Sequence, residues 1–119
     1  MQKFNFSHDK ENDDLFIYSS KSKSKGCVEL GNLVFDYDSK GELVGLQIMK
    51  ASASLEDMSG QKISIVSEIL KNLKECKVET KLKNNLLTIK VYLFSDAKEI
   101  ASVISVPSII ESSPSLAYA

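Results

Sequence analysis

The stretch LVFDYDSKGELVGLQIMKAS, residues 33–52, decides the fold. Two apolar runs flank the short polar loop DSKGE, which is the pattern of a β-hairpin. Asp38 can accept backbone hydrogen bonds within such a turn, and Gly41 can take a positive φ without steric cost. The sequence therefore predicts a hairpin over residues 33–50, with Asp38 and Gly41 as its structural turn residues.

Further strand candidates precede the hairpin. The run LFIYS, residues 15–19, is rich in β-forming residues. The chain from 27 to 38 continues as strand, and a bend or bulge is expected near Gly31–Asn32. Phe4 and Phe6 alternate in a polar N-terminal segment, so a short strand or a tethered arm is expected there.

One amphipathic helix is predicted after the hairpin, over residues 61–75. Its apolar positions fall on one stripe with helical spacing: Ile63, Val66, Ile69, Leu70 and Leu73. Before it, the segment 54–57 resembles a weak capping box that would start a short turn or helix ending at Gly60.

The C-terminal third is predicted to be a β-meander over residues 77–106. Asn84-Asn85 marks a tight turn because asparagine tolerates positive φ. Lysines on the exposed side of residues 77–83 would discourage aggregation if this strand is an edge. Pro107 ends the last strand, and residues 108–119 are predicted to be a tail.

The complete prediction is a single α+β domain over residues 1–119. A mainly antiparallel sheet would carry one helix, in the order β-β-β-α-β-β-β. The chain is 43% hydrophobic and 26% charged, as ordinary globular proteins are. It has no apolar stretch typical of a signal peptide or a membrane span, so a cytoplasmic location is expected.

The residue types argue against an enzyme, a bound metal or a cofactor. The two cysteines, Cys27 and Cys76, are far apart, and the single histidine, His8, lies in an N-terminal segment expected to be flexible. No glycine-rich phosphate loop occurs. Asp36 and Asp38 share a strand face by spacing, but a strand end followed by a turn cap explains them better than an acid–base pair. We therefore expect no catalytic, cofactor-binding or metal-binding residues.

A lysine loop is the only candidate contact for phosphate. Lys21, Lys23 and Lys25 alternate with serines in SSKSKSKG, which is typical of a solvated loop. Such a loop could bind nucleic acid weakly and without sequence preference. The formal net charge is −1 and all fifteen basic residues are lysines, so the arginine fork that suits phosphate and guanine is missing.

The segments DDLFIY (13–18) and VFDYDSKGELVGLQIMKAS (34–52) carry a family resemblance. Together they make residues 9–54 resemble the small prokaryotic proteins of domain-of-unknown-function family 2283. The matching hairpin positions are Asp36, Asp38, Gly41, Leu43, Val44, Gly45, Leu46 and Ile48. Gln47 stands where the family usually has glutamate. The resemblance implies a twisted antiparallel β unit and implies no activity.

Three functions follow as hypotheses. The first is a non-enzymatic interaction or self-assembly domain that forms a homo-oligomer and so covers a sheet edge. The second is an antitoxin-like binder of a small toxin-like protein, which the family resemblance implies. The third is weak nucleic-acid binding through Lys21, Lys23 and Lys25. The hairpin itself is interpreted as a structural element that organises the fold, and not as an active site.

Overall fold

A computed structural model describes residues 2–21, 23–96 and 98–107, which contain eight strands and two helices. The strands are β1 (Gln2–Asp9), β2 (Asp14–Tyr18), β3 (Gly26–Leu30), β4 (Leu33–Tyr37), β5 (Leu43–Ile48), β6 (Glu75–Lys83), β7 (Leu86–Phe94) and β8 (Glu99–Pro107). The helices α1 (Ala51–Ser59) and α2 (Ile63–Lys71) lie between β5 and β6. The predicted tail, residues 108–119, lies outside the described residues.

The strands form one antiparallel sheet in the order β3-β4-β5-β2-β1-β6-β7-β8. Strand β1 joins the two halves of this sheet. Its residues 2–4 pair with β6, and its residues 5–9 pair with β2. The segment that carries the family resemblance therefore forms one half, and β6, β7 and β8 form the other.

The predicted α+β class with a mostly antiparallel sheet is confirmed, but the predicted order and the single helix are wrong. Five strands precede the helices because the N-terminal segment is a full strand and because residues 27–38 form two strands. Gly31, with φ of +60°, starts a two-residue turn between β3 and β4 where a bend or bulge was predicted.

The second helix arises because the segment before Gly60 is fully helical. Helix α1 begins at Ala51, after a two-residue connection from β5, so the predicted start near Ser54 is wrong. It ends at Gly60, whose φ of +75° breaks the helix before α2 begins. Helix α2 ends where Asn72 Nδ2 donates to the Glu68 carbonyl at 3.0 Å.

Two turns follow the local chemistry of their residues. Gly41 has φ of +78°, the left-handed conformation predicted from the sequence. Asn84 and Asn85 have φ of +54° and +63°, so the predicted tight turn between β6 and β7 is confirmed.

The helices cover one face of the sheet. Leu55, Val66 and Ile69 are fully buried and belong to one core with the strand residues, and both helices contact β8. Along β2 the core residue Ile17 is buried while its neighbour Tyr18 is exposed, as expected for a sheet with one covered face. Neither helix of the described chain is long and apolar enough to cross a membrane.

Candidate functional site

Strand β3 is the most exposed element of the sheet. All five of its residues are exposed, and among the residues that the structure describes it pairs only with β4. We call the side of β3 that faces away from β4 the free edge. A free edge offers unpaired N–H and C=O groups, which can pair with a strand of another chain.

The register with β4 identifies which backbone groups lie on the free edge. Leu30 pairs with Leu33 across the two-residue turn, so these two residues exchange backbone hydrogen bonds. Because hydrogen-bonded and non-hydrogen-bonded pairs alternate, Val28 and Gly26 also bond to β4. The N–H and C=O groups of Cys27 and Glu29 therefore point away from β4, along the free edge.

Apolar side chains accompany these polar groups. Val28 is 42% exposed and Leu30 is 52% exposed. Gly26 adds open space, since no heavy atom lies within 4 Å of the position that a Cβ would take there. The strand contains no lysine and no proline, the residues with which proteins commonly protect an edge.

A shallow groove of about 500 Å³ lies beside this strand. It is lined by Lys25, Gly26, Cys27, Val28, Tyr37, Asp38, Ser39, Lys40 and Gly41. Burial raises the pKa of Tyr37, so its hydroxyl is even harder to ionise than that of an exposed tyrosine. The Asp38 carboxylate accepts the N–H groups of Lys40 and Glu42, each at 2.9 Å. These turn amides are therefore already bonded and do not form an anion-binding nest.

The three lysines predicted to contact phosphate do not gather around one pocket in the structure. Lys21, Lys23 and Lys25 are all exposed in the connection between β2 and β3, and only Lys25 lines the groove, with Lys40. The Lys25 N–H donates to the Tyr37 carbonyl at 2.7 Å, which fixes the backbone where β3 begins.

Asp36 and Asp38 have separate structural roles. Asp36 lies within β4, whereas Asp38 follows the end of β4 and lies in the turn. The Asp36 side chain lies over Gly45, where a Cβ would be 3.0 Å from Asp36 Oδ2. Ser24 Oγ donates to Asp36 Oδ1 at 3.4 Å.

A polar cluster between β1 and α1 was missed by the sequence interpretation. His8 was expected in flexible chain, but it lies in β1 with a side chain that is only 12% exposed. Its Nε2 donates to Asp13 Oδ1 at 2.9 Å, and Asp13 Oδ2 accepts the Ser52 N–H at 2.9 Å. The Asp13 carbonyl accepts the Ala51 N–H at 2.6 Å. Asp13 thus caps helix α1 from a distant turn.

The cluster has the wrong order for a nucleophile system. In a Ser–His–Asp triad the imidazole lies between the hydroxyl and the carboxylate. Here the Asp13 carboxylate lies between His8 and the start of the helix. Burial opposes ionisation of Asp13, but the hydrogen bonds from His8 and Ser52 prevail and lower its pKa. Within the described ranges, no three His, Cys, Asp or Glu side chains gather as metal ligands would.

Fold and site together define a small α+β domain in which, among the described residues, the outer edge of β3 is unpaired. A family model described as "Protein of unknown function (DUF2283)" matches residues 5–52, and the chain belongs to this family. An uncharacterized protein of Methanocaldococcus jannaschii is 34% identical over 102 residues, covering 82% of this chain and 80% of that protein.

A second relative comes from Methanosarcina mazei and is provisionally named hypoxanthine phosphoribosyltransferase. It is 26% identical over 88 residues, which are 72% of this chain and 65% of that protein. The named activity belongs to that protein. No solved structure matches the chain. The family model covers β2 to β5 and most of β1, so it includes the free edge of β3.

Proposed function

We propose that the chain is a non-enzymatic interaction domain that binds a protein strand at the free edge of β3. The observation that carries this proposal is the full exposure of β3 together with the outward N–H and C=O groups of Cys27 and Glu29. Strand addition obtains its affinity from main-chain hydrogen bonds and its specificity from side chains on alternate positions. Val28 and Leu30 supply those side chains.

Amide hydrogen exchange tests the proposal residue by residue. In a dilute solution of the chain, pairing with β4 should protect the amides of Val28 and Leu30 from exchange, whereas the amides of Cys27 and Glu29 should exchange fast. A soluble peptide of alternating threonine and valine serves as a model strand. Its addition should slow exchange at Cys27 and Glu29, and unchanged rates at both residues up to millimolar peptide would contradict strand addition.

Glu29 offers a matched pair of variants for this experiment. Glu29→Pro removes an N–H that points to the free edge and leaves the bonds to β4 in place, so it should abolish peptide binding. Glu29→Ala keeps the N–H and should bind as the unmodified chain does. Equal binding by both variants would place the peptide elsewhere.

The other two hypotheses lead to different results. An antitoxin-like domain would take a strand of a different small protein at the same edge, and a partner encoded nearby should then co-purify with the chain. Weak nucleic-acid binding should depend on salt and should be lost when Lys21, Lys23 and Lys25 are all replaced by serine.

A further inference from the structure

We propose that the strand bound at this edge is β3 of a second copy of the chain, antiparallel, with the two Val28 residues directly opposite each other. This inference rests on the proposed function and adds the partner and the register. A two-fold axis perpendicular to the sheet passes between the two valines, and the two sheets become continuous.

The hydrogen-bonding groups of the edge are complementary to themselves in this register. Cys27 of each copy faces Glu29 of the other, and these are the two residues whose N–H and C=O groups point outward. All of these edge groups are then paired. A register centred on Cys27 would place Glu29 opposite Lys25, whose N–H already donates to Tyr37. That register leaves a Glu29 carbonyl without its donor.

The side chains favour the same arrangement. Leu30 of one copy lies opposite Gly26 of the other, where open space surrounds the missing Cβ. The two Val28 side chains meet at a non-hydrogen-bonded pair, where side chains approach most closely.

Charge selects the antiparallel direction. Lys25 precedes the strand and Glu29 lies near its other end, so in the antiparallel arrangement Glu29 of one copy is a diagonal neighbour of Lys25 of the other. Parallel copies would align like charges. Because the edge has only five residues, the dimer should be weak and should form at high micromolar concentration.

Disulfide cross-linking tests the register. Opposite residues of a non-hydrogen-bonded pair have Cα atoms about 4.5 Å apart, which a disulfide can span. The double variant Cys27→Ser with Val28→Cys should therefore cross-link in oxidised glutathione at least about tenfold faster than two controls. The controls are the unmodified chain, whose Cys27 faces Glu29, and Cys27→Ser with Leu30→Cys, which faces Gly26.

The second cysteine of the chain does not interfere. Cys76 is fully buried, and burial, with a smaller effect from Glu75, raises its pKa to about 12. The thiolate that attacks a disulfide is therefore scarce at this residue.

The outcomes separate the register, the partner and the proposed function. Faster cross-linking of the unmodified chain than of the Val28→Cys variant would overturn the register. Sedimentation equilibrium that finds only monomer at high micromolar concentration, with equally slow cross-linking of all three chains, would overturn the second copy as partner. If the model peptide still protects Cys27 and Glu29 in that case, strand addition stands and only the identity of the partner is wrong.

Discussion

Two hairpins with two-residue turns, β3–β4 and β6–β7, each have an unpaired edge along all or part of their first strand, but the side chains on these two edges differ. Strand β6 pairs with β1 only from Cys76 to Val78, so its last residues, 79–83, have a free edge as well among the described residues. That segment, ETKLK, carries Lys81 and Lys83, whereas β3 is GCVEL.

The backbone of the two edges is similar, so the difference lies in the side chains. The Lys83–Leu86 pair flanks the turn between β6 and β7 and is hydrogen-bonded. Because such pairs alternate with non-hydrogen-bonded pairs, the N–H and C=O groups of Thr80 and Leu82 point away from β7. Both edges therefore offer unpaired donors and acceptors. Lysines on one edge oppose the approach of another strand, and their absence leaves the other edge open to a partner. This difference supports the proposal that β3, rather than β6, binds a partner strand.

The largest effect on self-association is expected when a lysine, as found on the edge of β6, is placed on β3. Val28→Lys places two like charges opposite each other at the two-fold axis and removes an apolar contact, so self-association should weaken by about 2–3 kcal/mol, roughly 100-fold. Sedimentation equilibrium measures the change. The substitution brings the formal net charge from −1 to zero, which by itself would favour association.

Ile63→Lys is the matched control for that variant. Ile63 is 46% exposed, close to the 42% of Val28, and it lies at the start of α2. The control makes the same change in charge and hydrophobicity away from the edge. Equal loss of association in both variants would remove the special role of β3.

A substitution that lowers the stability of the fold without altering the edges of β3 and β6 should leave self-association unchanged. Asp13→Ala removes the cap of α1 and places alanine at φ of +56°, so unfolding in urea should require about 2 kcal/mol less. Asp13→Asn keeps an oxygen acceptor and tolerates the left-handed conformation, so its loss should be smaller. Weaker self-association of Asp13→Ala at high micromolar concentration, in buffer without urea, would mean that the β3 edge depends on the cap of α1.

The lowered pKa of Asp13 also makes the unfolding free energy depend on pH. The folded pKa of Asp13 is lowered, so its hydrogen bonds stabilise the fold fully above the ordinary aspartate pKa of about 3.9. This contribution is lost as the pH falls through the lower folded pKa. The difference in unfolding free energy between the unmodified chain and Asp13→Asn should therefore shrink as the pH is lowered below about 4.

These regions also differ in how far the sequence predicts them. The hairpin with Asp38 and Gly41 and the Asn84-Asn85 turn follow from chemistry within four residues, and both were predicted. The cap of α1 joins residues 39 positions apart, so no local pattern could reveal it. The exposed outer edge of β3 was also hidden, because a strand sequence does not show whether one or both of its sides will be paired.

A smaller effect is expected at the turn of the β3–β4 hairpin. Gly31→Ala should lower the unfolding free energy by about 1 kcal/mol because φ there is +60°. Gly26→Ala is the matched control: both sites have open space around a Cβ, and only Gly31 has positive φ. Urea unfolding at a dilution where the chain is monomeric compares them. Equal losses would mean that backbone conformation is not the cause.

The smallest effect is expected when protection is removed from β6. Replacing Lys81 and Lys83 with threonine keeps a strand-forming sequence and lowers the formal net charge from −1 to −3. Charge farther from zero opposes association in general, so increased association would come from the exposed edge itself. We expect an increase of several-fold, about 1 kcal/mol, in light scattering at high concentration. Threonine at the exposed Lys10 and Lys74, neither of which lies opposite residues 79–83, gives the same charge and should leave scattering unchanged. If both pairs behave alike, lysine does not protect β6, and the difference between the two hairpins has another cause.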